Sequence, residues 1–428
     1  MWAAMTDQTR RDPQAAGVAA RGVALKVLDA VLRKGLPLEN ALDNNARGLE
    51  RADDRALAHA LAAEVLRRLP DLDALIDSAT AKPLPQDAKA RFALRIALAQ
   101  ALQLNTPPHA AIATVLPLVD GGPRRLVHGV FGALMRKGVS LPDVPVLPQE
   151  VAYRWREAWG EDVTDAAARA ITAPPPIDLT LKSTKGDWAQ QLGGVSLARG
   201  LVRLAAGARI TELPGFAEGA WWVQDISASL PARMIGVGKG RVLDLCAAPG
   251  GKTMQLAAAG WAVTAVDLSD QRLKRVRENL TRTKLKARLV AGDALTFTDE
   301  PYDAVLLDAP CSATGIFRRH PDVLYRARPR AIAAMAERQH AMLARAADLV
   351  KPGGILVYSV CSLERVEGEQ VTDAFLSSHS SFAADPIAVE ELPAGIVPDE
   401  AGRIRVLPGA LAEQGGADGF FIARFRRG

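Results

Sequence analysis

From Gly240 onward the chain alternates short apolar runs with helical segments, and nearly every apolar run ends in a polar or glycine-bearing motif. RVLDLC, AVTAVDL, ARLVAGD, YDAVLLDAP and GILVYSVCS read as strands. GKTMQLAAAG, DQRLKRVRENLTRT and a long segment from about Pro329 to Val350 read as the helices between them. Strands separated by helices are not hairpins, so this order predicts a mostly parallel sheet with helices on both faces. Such folds bind ligands outside the carboxyl ends of their strands, and the polar motifs fall there.

Upstream the apolar period is that of a helix. Val23, Val27 and Val31 share a face, as do Leu57, Leu61 and Val65, then Leu94, Leu98 and Leu102, and finally Val127, Val130, Phe131 and Leu134. The stretch from about Ala20 to Gly138 therefore reads as an all-α bundle. LPDVPVLPQE follows as a linker. Val151 to Leu230 mixes a tryptophan-bearing helix around Tyr153 to Trp159, the breaker run APPPID and short apolar strands. The expected division is a helical domain over 1–140, a linker with a small α/β subdomain over 141–232, and a Rossmann-like α/β domain over 233–428. No internal repeat suggests a solenoid.

The chain has 428 residues and is long enough for two or three cores. No apolar run approaches the roughly 20 residues of a spanning helix, and MWAAMTDQTRRDPQ has no apolar signal-peptide core, so a cytoplasmic protein without membrane attachment is expected. A formal charge of +5 permits a nucleic-acid partner without demonstrating one. The three cysteines, Cys246, Cys311 and Cys361, cannot build a disulfide framework, and none lies in a metal-binding cluster; no metal is expected.

Asp244-Leu-Cys-Ala-Ala-Pro-Gly-Gly-Lys-Thr253 joins the first strand of the C-terminal domain to a helix. Gly250 and Gly251 allow close approach of a ligand, and the helix start offers unpaired N–H groups. A Walker A loop needs a glycine where Cys246 stands, and GxGxxG is absent, which argues against nucleotide hydrolysis and dinucleotide binding. Asp267 closes the second strand, where a carboxylate can take both hydroxyls of a ribose, and Asp293 ends the third, where it can meet an adenine amino group. Either aspartate alone would read as a cap or turn former; with the glycine turn they make a nucleoside site. The fourth strand runs into Asp308-Ala-Pro-Cys-Ser-Ala-Thr-Gly315 and the fifth into Ser359-Val-Cys-Ser362, so two thiols and a carboxylate are expected at one lip of the sheet.

DLCAAPGGKT, DAPCSATG and the Cys-Ser pair after the fifth strand resemble the RNA cytosine-5 methyltransferase family. The resemblance extends over VQDISASLPA, read as an entry strand, IFRRHPDV and the closing strand DGFFIARF. ARGVALKVLDAVL, DRALAHALAAEVLRR and RRLVHGVFGALMRK are similar to a NusB-like RNA-binding domain. It implies S-adenosylmethionine held by Cys246, Ala247, Ala248, Pro249, Gly250, Gly251, Lys252, Asp267, Asp293 and Asp308. It also implies Cys361 as nucleophile, Cys311 as the residue that aids product release, and Asp308 and Lys252 among the catalytic groups. The implied substrate is small-subunit rRNA, naked or in an assembling subunit, at cytosine 967 of 16S rRNA; a monomer is expected. Cytosine C5 is a poor nucleophile, and a thiolate added at C6 makes the ring electron-rich, which gives such a cysteine its use. Two departures stand out. Val360 replaces the family's usual threonine before the nucleophile, and LERVEGEQ lacks its usual proline-glutamate-glutamate-asparagine run.

Arg318, Arg319 and His320 are candidates for contact with an RNA backbone. Arg272, Lys274, Arg275, Arg277, Arg282, Lys284, Lys286 and Arg288 read instead as a solvated helical face, and Trp221 and Trp222 as outside the site. The rival readings are cytosine-5 methylation of another RNA such as tRNA, a DNA methyltransferase using Cys311 as nucleophile, an assembly factor without catalysis, and a small-molecule or protein methyltransferase. Two active-site cysteines have no obvious use in the last.

Overall fold

The computed structural model describes residues 13–428. Its contacts group into two compact units, one of residues up to 151 together with 320–326, the other of 152–319 together with 327–428.

The first unit is helical: α1 (Pro13–Leu32), α2 (Leu38–Asn45), α3 (Ala52–Arg67), α4 (Leu69–Ser78), α5 (Lys89–Leu102), α6 (Pro108–Val115) and α7 (Gly121–Arg136), joined by α14 (Val323–Arg326) from far down the chain. The apolar stripes read from the sequence form its core: Val27, Leu61, Val65, Leu94, Leu98, Val127 and Leu134 are fully buried. α5 is buried nearly all round, so its arginines need partners. Arg95 pairs with Asp73 at 2.8 Å, and Arg91 with Asp77 at 2.8 Å and Asp73 at 3.0 Å. The stretch 320–326 is tied in by Asp322, which accepts from the Leu38 amide at 3.2 Å, and by the Tyr325 hydroxyl, which donates to the Leu66 carbonyl at 2.8 Å.

The second unit holds two sheets. After α8 (Gln149–Trp159) and α9 (Glu161–Ala170), a small antiparallel sheet is built from β1 (Ile177–Leu181), β2 (Val195–Ala198), β3 (Leu201–Leu204) and β4 (Trp221–Val223) in the order β2-β3-β1-β4, with α10 (Trp188–Leu192) beside it. The expected entry strand VQDISASLPA is mostly helical instead. β4 stops at Val223, and Asp225 caps α11 (Ile226–Arg233) by accepting from the Ser227 amide at 2.9 Å. An aspartate before a helical run is an N-cap, and that local signal prevails over strand propensity.

The larger sheet contains β5 (Arg241–Leu245), β6 (Ala262–Asp267), β7 (Arg288–Ala291), β8 (Tyr302–Asp308), β9 (Val350–Val360), β10 (Phe382–Ala384), β11 (Ile404–Val406) and β12 (Phe420–Arg427). Its order is β10-β12-β9-β8-β5-β6-β7, with β11 also on β12. β7, β6, β5, β8 and β9 are mutually parallel, while β12 is antiparallel to β9. α12 (Gly251–Ala258), α13 (Asp270–Thr283), α15 (Pro329–Asp348) and α16 (Glu369–Ser378) complete the unit. This is the Rossmann-like fold expected from the alternation. Chain order reverses at β5, which has β6 on one side and β8 on the other, so a crevice opens at their carboxyl ends.

Among the described residues no helix is long and apolar enough to cross a membrane, and no three His, Cys, Asp or Glu side chains group as a metal site.

Candidate active site

The loop from β5 to α12 is shaped by its backbone. Cys246 has φ +63° and Gly250 φ +101°, both left-handed; a Cβ at Gly250 would stand 3.0 Å from Val276, so glycine is required there. Asp267 fixes the loop from the neighbouring strand by accepting from the Ala248 amide at 3.1 Å and the Ser269 amide at 3.0 Å. Arg272 lies 3.4 Å from the same carboxylate and donates to the Ala248 carbonyl at 2.6 Å. Ala247 and Ala248 are buried, and Pro249 and Gly251 complete the turn into α12.

Beside this loop lies a cavity of about 140 Å³ lined by Cys246, Asp267, Leu268, Arg272, Asp293 and Arg338, among others. A carboxylate offers about four acceptor positions, and two backbone amides leave Asp267 with capacity for ribose hydroxyls. Asp293 accepts from the Leu295 amide at 3.0 Å and lies 3.9 Å from Arg338. The donor set fits a nucleoside. Burial and the carboxylates of Asp308, Asp267 and Asp244 push the Cys246 thiol up to about 12, so it is a neutral lining group and not a nucleophile.

The reactive end follows from strand register. β8 and β9 are parallel with Asp308 opposite Ser359, and the Ala309 amide donates to the Ser359 carbonyl at 2.9 Å. The loops that leave these strands therefore emerge side by side, and Cys311 Sγ stands 3.5 Å from Cys361 Sγ. Asp308 is held on both oxygens, by Lys252 Nζ at 2.7 Å and by Ser359 Oγ at 2.8 Å. Lys252 in turn lies over the Phe420 ring, 5.2 Å from its centroid. Contact with Cys361 and burial hold the Cys311 thiol well above its ordinary pKa, so Cys311 remains a proton donor beside Cys361.

Residues 237–426 match the 16S rRNA methyltransferase RsmB/F family, and residues 18–131 match the NusB family. A ribosomal RNA small subunit methyltransferase B from Xylella fastidiosa is 38% identical, over 95% of this chain and 98% of its own. The chain belongs to the RsmB/F family. Another family member, ribosomal RNA small subunit methyltransferase B from Klebsiella pneumoniae, is 35% identical over 94% of this chain and 97% of its own. The solved structure of PH0851 shares the fold, with a TM-score of 0.74 at 23% identity, covering 98% of this chain and 100% of its own.

Compared with the RsmB/F pattern, the departure at Val360 falls on a core position. Val360 is fully buried among Tyr358, Val371 and Phe421, while Ser359 and Cys361 face the site. The arginines proposed for RNA contact are corrected by the structure. Arg318 is only 4% exposed. Arg319 is bound to Asp225 at 2.9 Å and Asp418 at 3.0 Å. Both lock loops together from inside, while His320 belongs to the helical unit. The basic cluster on and after α13 divides. Arg272 and Arg282 anchor backbone carbonyls, whereas Lys274, Arg275, Arg277, Lys284, Lys286 and Arg288 are exposed. Trp221 and Trp222 are buried, consistent with their exclusion from the site. Sequence reasoning missed Ser359 and Glu367. Ser359 was legible in principle, being two residues before Cys361 on the same face of β9; Glu367 was not, because it reaches the site through a turn.

Proposed function

We propose that the chain methylates carbon 5 of a cytosine in small-subunit ribosomal RNA, at cytosine 967 of 16S rRNA, through a covalent adduct between Cys361 and C6. Family membership supports the methyltransferase activity and the rRNA substrate. The finer reading is carried by one observation, the two thiols 3.5 Å apart beside a carboxylate held by Lys252 and Ser359.

Cys246 to Gly251, Asp267 and Asp293 are suited to hold S-adenosylmethionine. Bound there, it supplies an electrophilic methyl group. The target base is turned out of its stack to reach the cleft. Cys361 attacks C6 as thiolate while N3 takes up a proton, and Asp308, oriented by Lys252 and Ser359, accepts from that N3–H and the amino edge and so stabilises the electron-rich ring; N3 gives the proton back when the adduct breaks. After C5 is methylated, a water removes its proton, the C5–C6 double bond reforms, and the C6–S bond breaks with its electrons on the Cys361 sulfur. Cys311 S–H hydrogen-bonds to that sulfur as it leaves. The helical unit, similar to NusB, supplies RNA affinity.

The test is to incubate the protein with radiolabelled S-adenosylmethionine and unmodified 16S rRNA and to map the label. Label in 5-methylcytosine at one position is expected. Label on no RNA, or on a position other than C5, overturns the reading.

A further inference from the structure

Each cysteine of the pair is followed by a serine, and both serines end on one buried carboxylate. Glu367 is fully buried. Its Oε1 accepts from the Ser312 amide at 2.8 Å and from Gln339 Nε2 at 3.1 Å. Its Oε2 accepts from the hydroxyls of Ser312 and Ser362. The same Gln339 amide nitrogen donates to the Pro310 carbonyl at 2.9 Å, immediately before Cys311. The backbone carbonyl of Glu367 takes the Tyr358 hydroxyl at 2.6 Å, three residues before Cys361. Among the described residues no cation pairs with Glu367.

A buried carboxylate without a counter-charge is costly unless its acceptors are used, and here four donors use them. Three of the four, from the Ser312 amide and the Ser312 and Ser362 hydroxyls, come from the two loops that carry the thiols, and the fourth comes from Gln339 on α15, which also holds the Pro310 carbonyl. Further links run between these loops. Gly315 donates to the Cys361 carbonyl at 3.0 Å, and the Leu363 amide donates to Thr314 Oγ1 at 3.0 Å. Glu367 is the point at which residues from both sides of the pair converge on one side chain.

We propose that Glu367 is a positioning residue that sets the spacing of Cys311 and Cys361 by holding Ser312 and Ser362. Its catalytic meaning rests on the two-cysteine reading above. Glu367 touches neither sulfur; it acts through the residue that follows each. A misplacement of about 1 Å in a reacting pair costs roughly 10²-fold in rate, so a loosened clamp should be visible in the step that needs both thiols. Burial holds the Glu367 carboxyl above its usual pKa, while the hydrogen bonds from Ser312, Ser362 and Gln339 pull it back toward the charged form.

The experiment compares wild type with Glu367→Ala, Glu367→Gln, Ser312→Ala and Cys361→Ala, using two readouts. The first needs no RNA. Diamide joins two nearby thiols, its azo bond taking their two protons and two electrons to become a hydrazine, and peptide mass mapping gives the rate of the Cys311 to Cys361 disulfide. The second is turnover on 16S rRNA, with kcat, the KM for S-adenosylmethionine and trapped protein–RNA adduct.

Glu367→Ala is expected to slow the coupling by about 10-fold, to lower kcat by roughly 10²-fold with adduct accumulating, and to leave that KM within about twofold. Glu367→Gln, which can accept from the Ser312 amide and donate to a serine hydroxyl, is expected to recover most of both rates. A merely structural role would lower the melting temperature without this pattern. If Glu367→Ala does not fold, Ser312→Ala carries the test, with smaller changes in the same direction. Wild-type coupling in Glu367→Ala, or Glu367→Gln as impaired as Glu367→Ala, overturns the inference. If Cys361→Ala still methylates, the two-cysteine reading falls; if Cys361→Ala is dead and Glu367→Ala is normal in both readouts, only the positioning role falls.

Discussion

Lys252 Nζ stands 2.7 Å from Asp308 Oδ2, joining the first turn of α12 to the end of β8. The lysine belongs to the glycine loop that borders the cavity lined by Asp267 and Asp293, and the aspartate to the lip that carries the thiols. One ion pair thus couples the two halves of the site, and Ser359 on β9 completes the hold on the carboxylate.

In the proposed mechanism Lys252 acts on the base through Asp308, so the two should behave as a unit. Asp308→Asn is expected to lower kcat by roughly 10²- to 10³-fold, the range for losing one preorganised electrostatic partner. Lys252→Met should show a smaller loss, and the double variant little more than Asp308→Asn alone. Single-turnover methylation assays read this directly. Additive losses in the double variant would show that the ion pair is not the route by which Lys252 acts.

The thiol pair makes a directional prediction. Cys361→Ala should abolish both adduct and product. Cys311→Ala should form the adduct but release it roughly 10²-fold more slowly, as expected on removing a proton donor from a departing group. Denaturing gels with labelled RNA distinguish them. An adduct that persists in Cys361→Ala and vanishes in Cys311→Ala would exchange the two roles.

Arg319 is committed to an ion-pair network, which makes it a stability residue. It joins Asp225 and Asp418 with its side chain 24% exposed. Arg319→Ala strips Asp225 and Asp418 of their hydrogen-bonded partner and leaves only the longer contact of Arg318 with Asp418 at 3.8 Å, and such a loss costs about 3 kcal/mol. Urea denaturation should show an earlier transition, while affinity for 16S rRNA measured on the folded variant should change by less than about twofold. A tenfold loss of RNA affinity with unchanged stability would restore Arg319 to the interface.

These outcomes mark which parts of the molecule were readable in advance. Helical stripes such as Val27 and Leu61 face one core because a 3.6-residue period has one solution. Motifs at strand ends were readable because parallel register carries Asp308 and Cys361 to the same lip. Arg318 and Arg319 misled because cations beside an active-site loop look alike in sequence, whether they meet phosphate or a buried carboxylate. Their partners, Asp225 and Asp418, lie about a hundred residues away on either side and carry no local signal. Glu367 was hidden for the same reason: its worth depends on Ser312, 55 positions earlier. Periodicity reports what faces the core, but a polar contact between distant loops is visible only once the chain is folded.

Asp244 gives a last prediction, on the pH dependence of stability. It is fully buried at the end of β5, with Oδ2 accepting from Thr253 Oγ1 at 2.5 Å and Oδ1 without a partner. Burial pushes its carboxyl up to about 7. Between about pH 4 and pH 7 the folded chain therefore holds a proton at Asp244 that the unfolded chain has released. Since stability changes with pH as protons bound unfolded minus folded, this group makes the fold less stable as pH rises through that window. Asp244→Asn keeps the acceptor for Thr253 and removes the titration. The urea midpoint of wild type should fall between pH 5 and pH 7.5 by more than that of Asp244→Asn. Equal falls in both would mean that Asp244 is already ionised in the fold at pH 5, with its charge sustained by Lys252 across the loop.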